Sequence, residues 1–185
     1  MSEGDVRLVM ARENLPASGV ASVFLAGPTP RLGDPVPSWR LEAIEVLAAR
    51  WRGPGPLVVA SPESRGGRRA ARYEDQVEWE TAARATASAV LFWIPRDLRS
   101  LPGFTTNVEF GLDAPTGRAV LGCPPDCPDP DRNRYLIYVA HRFGVPVRQT
   151  LPTTVDAALT LLTKMSLRAA LKRGYFTTAV DEASE

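Results

Sequence analysis

The chain has 185 residues and carries 22 Lys and Arg against 21 Asp and Glu, so its net charge of +1 sets up no basic field for nucleic acid or an anionic membrane. That length suits one domain with a substantial core. No run approaches the roughly 18 apolar residues of a membrane span, and the N-terminus lacks a signal-peptide pattern, which predicts a soluble cytoplasmic protein.

Residues 1–18 show no sustained period and are expected to form a flexible arm or an extra edge element. Ser22, Val23, Phe24, Leu25 and Ala26 make a short apolar run stopped by Gly27-Pro28-Thr29-Pro30, a buried strand and then a loop. Ser38 can cap a helix reaching about residue 50, with Leu41, Ile44, Val46 and Leu47 at helical spacing. Residues 57–60 form the second predicted strand. A Gly/Arg-rich loop follows over 61–72, then a helix over 73–87 and a third strand over 89–94. A helix carrying Glu109 ends near Ala114-Pro115, and residues 119–122 give a fourth strand. Residues 134–143 are predicted helical, 145–147 a short fifth strand, and 153–164 the last regular helix. The acidic tail from residue 177 is expected to fray. Strands alternating with helices predict a single α/β domain over 19–176, with a mostly parallel five-stranded sheet flanked by helices.

Cys123 and Cys127 lie in a Pro/Asp-rich loop, and His141 is the only histidine. Zinc normally takes four ligands, so two free thiols are expected, with no metal and no cofactor.

Glu109 stands out because its helix starts just past the third strand, and parallel sheets collect ligands at the carboxyl ends of their strands. Two explanations stand side by side. The carboxylate could attack a sugar carbon or move a proton. Alternatively, Thr106-Asn107-Val108-Glu109 is a capping box, in which the glutamate satisfies the N–H of the threonine cap. A second acid is singled out by periodicity. Tyr73, Gln76, Val77, Glu80, Ala83 and Ala87 share one helical stripe, whereas Glu74 and Glu78 fall on its flank. A carboxylate on the inward stripe is either paired, here with Arg84 at i+4, or set to work in a pocket. Two carboxylates over one sheet edge suit glycosidic chemistry, one at the anomeric carbon and one managing the leaving group's proton.

The loop from Gly27 through Thr29 to Arg31 lacks the glycine spacing of a Walker or dinucleotide motif, but it can line a site with Arg31 near substrate oxygens. Trp93 and Phe104 are candidates for stacking on a base. Arg65, Arg68, Arg69 and Arg72 form a small basic cluster that is either a solvated loop or a phosphate contact.

The ordered set Phe24-Leu25-Ala26-Gly27-Pro28-Thr29-Pro30-Arg31, Ser38-Trp39-Arg40, Tyr73 to Glu80, Leu91-Phe92-Trp93-Ile94-Pro95-Arg96 and Gly103 to Gly111 resembles the nucleoside 2-deoxyribosyltransferase-like family. The resemblance spans residues 22–111 and implies a flavodoxin-like fold that acts on the N-glycosidic bond of a (deoxy)nucleoside or nucleotide. It implies Glu109 as nucleophile, with Gly111 completing the family's E-x-G, and a covalent glycosyl intermediate resolved by a base or by water. In the family an acid eight positions before a strand-leading A-D pair contacts the nucleobase; the pair reads Ala87-Ser88 here, so the resemblance implies Glu80 in that role. In related nucleotide N-glycosidases a 5′-phosphate is held near a helix start, where Thr105, Thr106 and Asn107 stand here. Two positions depart from the family. Phe24 replaces a nucleophile-orienting tyrosine, and Gly103 replaces an aspartate for which Asn107 or Asp97 could substitute. These departures leave transfer, hydrolysis and a non-catalytic nucleoside sensor all open. The family commonly completes its pocket from a neighbouring subunit, so a homo-oligomer is expected, with Met165 and Tyr175-Phe176 packing on the neighbour.

Overall fold

The computed structural model describes residues 5–17, 19–30, 36–67 and 70–181. Its strands are β1 (Val6–Met10), β2 (Ser22–Ala26), β3 (Leu57–Ser61), β4 (Ala89–Trp93), β5 (Ala119–Gly122) and β6 (Val147–Arg148). The α-helices are α1 (Trp39–Arg50), α2 (Tyr73–Thr86), α3 (Phe104–Asp113), α4 (Arg134–Arg142) and α5 (Leu151–Asp181). Every residue of β2, β3, β4 and β5 is buried, as expected for strands covered by helices on both faces.

The six strands run in the order β1-β3-β2-β4-β5-β6, and every pairing is parallel. The sheet therefore has one strand more than the five expected. The additional strand is the edge strand β1, in register with β3 from Val6 opposite Leu57 to Met10 opposite Ser61. It escapes periodicity because the charged Arg7 interrupts a short apolar run in which Val6 and Leu8 pack on one core and Val9 is buried on the other face. Without it, the remaining order is the 2-1-3-4-5 of flavodoxin-like sheets, whose ligand crevice opens where the strand order reverses, here between β2 and β4.

Alternate strand residues face opposite layers. Val23, Leu25, Leu91, Trp93 and Val120 join α1 and α5 in one core, while Phe24, Ala26, Phe92 and Leu121 join α2, α3 and α4 in the other. Helix α1 begins as expected, with Ser38 Oγ accepting from the Arg40 N–H at 3.2 Å. Its buried face is Trp39, Arg40, Ala43 and Leu47, whereas Leu41 of the predicted stripe is exposed. Helix α5 runs to Asp181, well beyond the expected 153–164, and buries Leu151, Val155, Ala158 and Leu162.

Candidate active site

A cavity of about 540 Å³ opens over the carboxyl end of β2 and the segments that leave β3 and β4, with α2 and α3 as its walls. Phe24 and Ala26 line its base, and Gly27, Pro28 and Thr29 form the lip where β2 exits. That lip is tied down from below. The Trp39 indole N–H donates to Pro28 O at 3.1 Å, and the Arg40 guanidinium donates to Leu25 O at 3.2 Å, Gly27 O at 2.7 Å and Thr29 Oγ1 at 3.1 Å. Arg40 is almost wholly buried and completes its set with Glu63 Oε1 at 3.1 Å. Gly27 has φ 152°, and a Cβ there would strike the Trp93 carbonyl and come within 2.8 Å of the Trp39 ring. Gly27→Ala is therefore expected to cost about 1–3 kcal/mol. Calorimetry should show this as a Tm lower by roughly 2–12 °C; an unchanged Tm would mean that the lip relaxes freely.

Glu109 reaches the cavity from the second turn of α3, not the first. Gly103 caps the helix in the left-handed region (φ 60°, ψ 36°), so the helix starts at Phe104 and Thr106 lies inside it. This overturns the capping-box explanation. The threonine is an interior residue, and the glutamate has no cap to serve. The Glu109 side chain is 14% exposed. Burial pushes its carboxyl above the ordinary 4.5; Arg84 opposes that rise most strongly, while Glu80 and Asp113 add to it.

Glu80 lines the same cavity from α2. Its Oε1 accepts from Gln76 Nε2 at 2.6 Å, and Gln76 also donates to Pro62 O at 2.8 Å, which fixes the amide against the β3 exit. The expected Arg84 partner is engaged elsewhere. Arg84 Nη1 pairs with Asp113 Oδ2 at 2.7 Å, and its Nε lies 3.8 Å from Glu109 Oε1. Among the described residues, Arg84 Nε is the only buried side-chain nitrogen or oxygen without a hydrogen-bond partner. An orphaned buried donor costs about 1–3 kcal/mol, so the position is strained in energy if not in shape.

The other candidates separate into two groups. Gly27, Thr29, Phe104, Thr105 and Thr106 line the cavity together with Glu80 and Glu109. Asn107 and Trp93 do not. Asn107 Oδ1 accepts from Arg96 Nη2 at 2.7 Å, and the buried Arg96 also donates to Pro102 O and to Asn133 Oδ1 at 3.0 Å. The asparagine thus secures the start of α3. Trp93 is in the opposite core, against the position where a Gly122 side chain would stand. Arg31 lies outside the described residues, as do Arg68 and Arg69. Arg65 pairs with Glu13 at 2.9 Å, and Arg72 lies 3.9 Å from both Glu74 and Asp75, so these two are engaged in solvent-exposed pairs.

Phe24, at the place where the resemblance implies a tyrosine, presents only its ring to the cavity. Gly103, in place of an aspartate, also lines it, and a Cβ there would stand 3.0 Å from Arg96 Nη1. Sequence reasoning missed Gln76 as a partner of Glu80, Arg84 as a neighbour of Glu109, and the exposed apolar rim of Tyr73, Val77, Val108 and Leu112. Cys123 is buried, its thiol pushed up to about 12 by desolvation, and Cys127 is also free. Among the described residues, no three His, Cys, Asp or Glu side chains gather as a cation site, and no helix is long and apolar enough to cross a membrane.

The family model described as nucleoside 2-deoxyribosyltransferase like matches residues 20–127, more than half of the chain. Every residue that lines the cavity falls inside that span. None of the curated proteins compared matches the chain. The chain belongs to the nucleoside 2-deoxyribosyltransferase-like family.

Proposed function

We propose that this member of the nucleoside 2-deoxyribosyltransferase-like family breaks the N-glycosidic bond of a (deoxy)nucleoside or nucleotide through a covalent glycosyl-Glu109 intermediate. The observation that carries this reading is the meeting of two carboxylates from separate helices, Glu109 on α3 and Glu80 on α2, in one cavity at the strand-order reversal. The Glu80 charge adds to the rise of the Glu109 carboxyl.

In the first step an ionised Glu109 oxygen bonds to the anomeric carbon. The carbon–nitrogen bond breaks with its electron pair going to the base, and Glu80 supplies the proton that the departing nitrogen takes up. In the second step water or an incoming base attacks the same carbon from the vacated side, the ester bond to Glu109 breaks, and Glu80 takes back a proton. Two inversions give net retention. The N-terminal turn of α3, with Thr105 and Thr106 on the cavity wall, suits the sugar or a 5′-phosphate. The exposed apolar rim formed by Tyr73, Phe104, Val108 and Leu112 suits cover by a second copy, so a homo-oligomer is part of the proposal.

The test is to incubate the protein with a deoxynucleoside and a second free base and follow the products by chromatography. A new nucleoside indicates transfer, and free sugar with free base indicates hydrolysis. Phe24 and Gly103 favour one further reading, a nucleoside-binding module without turnover. Thermal stabilisation by the nucleoside with no product over hours would select it.

A further inference from the structure

Phe24 at the cavity base offers Glu109 no hydrogen-bond donor, and the ion pair that reaches its carboxylate comes from Arg84, whose Nε lies 3.8 Å from Oε1. The nearest cation is Arg84, itself nine-tenths buried and carrying the orphaned Nε–H. We propose that Arg84 is the positioning residue of Glu109: anchored on Asp113 through Nη1, it stands with Nε 3.8 Å from Glu109 Oε1 as the cation that aims and charge-balances the carboxylate. This rests on the reading of Glu109 as the nucleophile.

The unequal distances are what the role requires. A close ion pair to Glu109 would stabilise the resting carboxylate and hold it back from attack, whereas at 3.8 Å the cation attracts without binding tightly. The 2.7 Å bond to Asp113 keeps Arg84 neutralised when Glu109 becomes an ester and loses its charge. A buried guanidinium therefore never stands unpaired during the cycle. Asp113 is one turn beyond Glu109 on α3 and Arg84 is on the facing side of α2, so the arginine also fixes the distance between the two helices that carry the acids. The other charges around Glu109 are Glu80 from α2 and the buried Arg40 from α1, and both remain constant in the comparisons that follow.

The measurement is a pH titration of the Glu109 side-chain carboxyl by carbon NMR on glutamate-labelled full-length protein, with the signal assigned from Glu109→Gln. Arg84→Met should move the midpoint upward by about one pH unit or more. Asp113→Asn should move it downward, both because a like charge is removed and because Arg84 then acts on Glu109 alone. Arg84→Lys should lie between Met and the wild type. A native-like Arg84→Met protein with an unmoved midpoint would overturn the proposal. Should that variant fail to fold, an unmoved midpoint in Asp113→Asn overturns it equally. Failure of the underlying reading looks different: Glu109→Gln would retain turnover while the midpoints still shift. If Glu109→Gln is inactive, the acid limb of kcat/KM must follow the NMR midpoint across the three variants, and a limb that stays fixed refutes the positioning role.

Discussion

Glu109→Gln is expected to lower turnover by about 10⁴-fold or more while leaving the protein at least as thermally stable as the wild type at neutral pH. Glutamine keeps the shape of the side chain and loses the nucleophilic oxygen, so no ester can form. The stability half follows from burial. Desolvation raises the Glu109 carboxyl above its ordinary 4.5 despite the attraction of Arg84. A carboxyl raised in the folded state contributes stability that is full below the unfolded value and is lost as pH rises through the folded one. The wild type therefore carries a penalty at pH 7 that glutamine removes. The Tm difference between the two proteins should favour the variant at neutral pH and shrink as the pH falls toward 4. Scanning calorimetry from pH 4 to 8 reads this directly. A variant that melts well below the wild type at pH 7 would mean that the carboxylate supports the fold, and the argument for a strained functional group would fail.

The sheet was legible because its central strands are covered on both faces. Continuous runs such as Val90-Leu91-Phe92-Trp93 admit few other interpretations, and the turns after them are marked by glycine and proline. The edge strand β1 was not, since Arg7 interrupts its short apolar run and its pairing with β3 is set by residues fifty positions later. Trp93 shows a signal that was present but unused. Strict alternation puts it on the side of Leu91, away from Phe92, and hence in the α1–α5 core instead of the cavity.

The placement of the two acids was legible to different degrees. Helical periodicity puts Glu80 on the inward stripe of α2 with Gln76 and Ala83, and the structure has all three facing inward. The start of α3 was misjudged by three residues because Thr106 is a better cap in statistics than Gly103 is in this loop. Gly103 prevails through its left-handed conformation and through Arg96, which draws Pro102 O and Asn107 Oδ1 together across the turn. Arg84 illustrates the limit of local rules. At i+4 from Glu80 it looks like that residue's partner, yet its shortest bond is to Asp113, twenty-nine positions away. No sequence window spans that choice. It is decided when α2 and α3 pack over the same strand ends.

Glu80→Gln should separate the two carboxylates by leaving group. For an ordinary purine or pyrimidine nucleoside, loss of the general acid is expected to slow the first step by about 10²–10⁴-fold. A nucleoside whose base already carries a positive charge, such as a 7-methylguanine nucleoside, departs without taking up a proton, and its rate should fall by no more than about tenfold. Gln76 keeps the comparison clean. Its Nε2–H can donate to the amide oxygen of the new glutamine as it does to Glu80 Oε1, so the side chain has a reason to stay in place. Glu109→Gln must suppress both substrates, because attack on the anomeric carbon is needed whichever base leaves. Release of free base under single-turnover conditions, measured for both substrates in both variants, gives four rates. Equal losses on the two substrates in Glu80→Gln would remove Glu80 from proton transfer and leave it a role in binding the base.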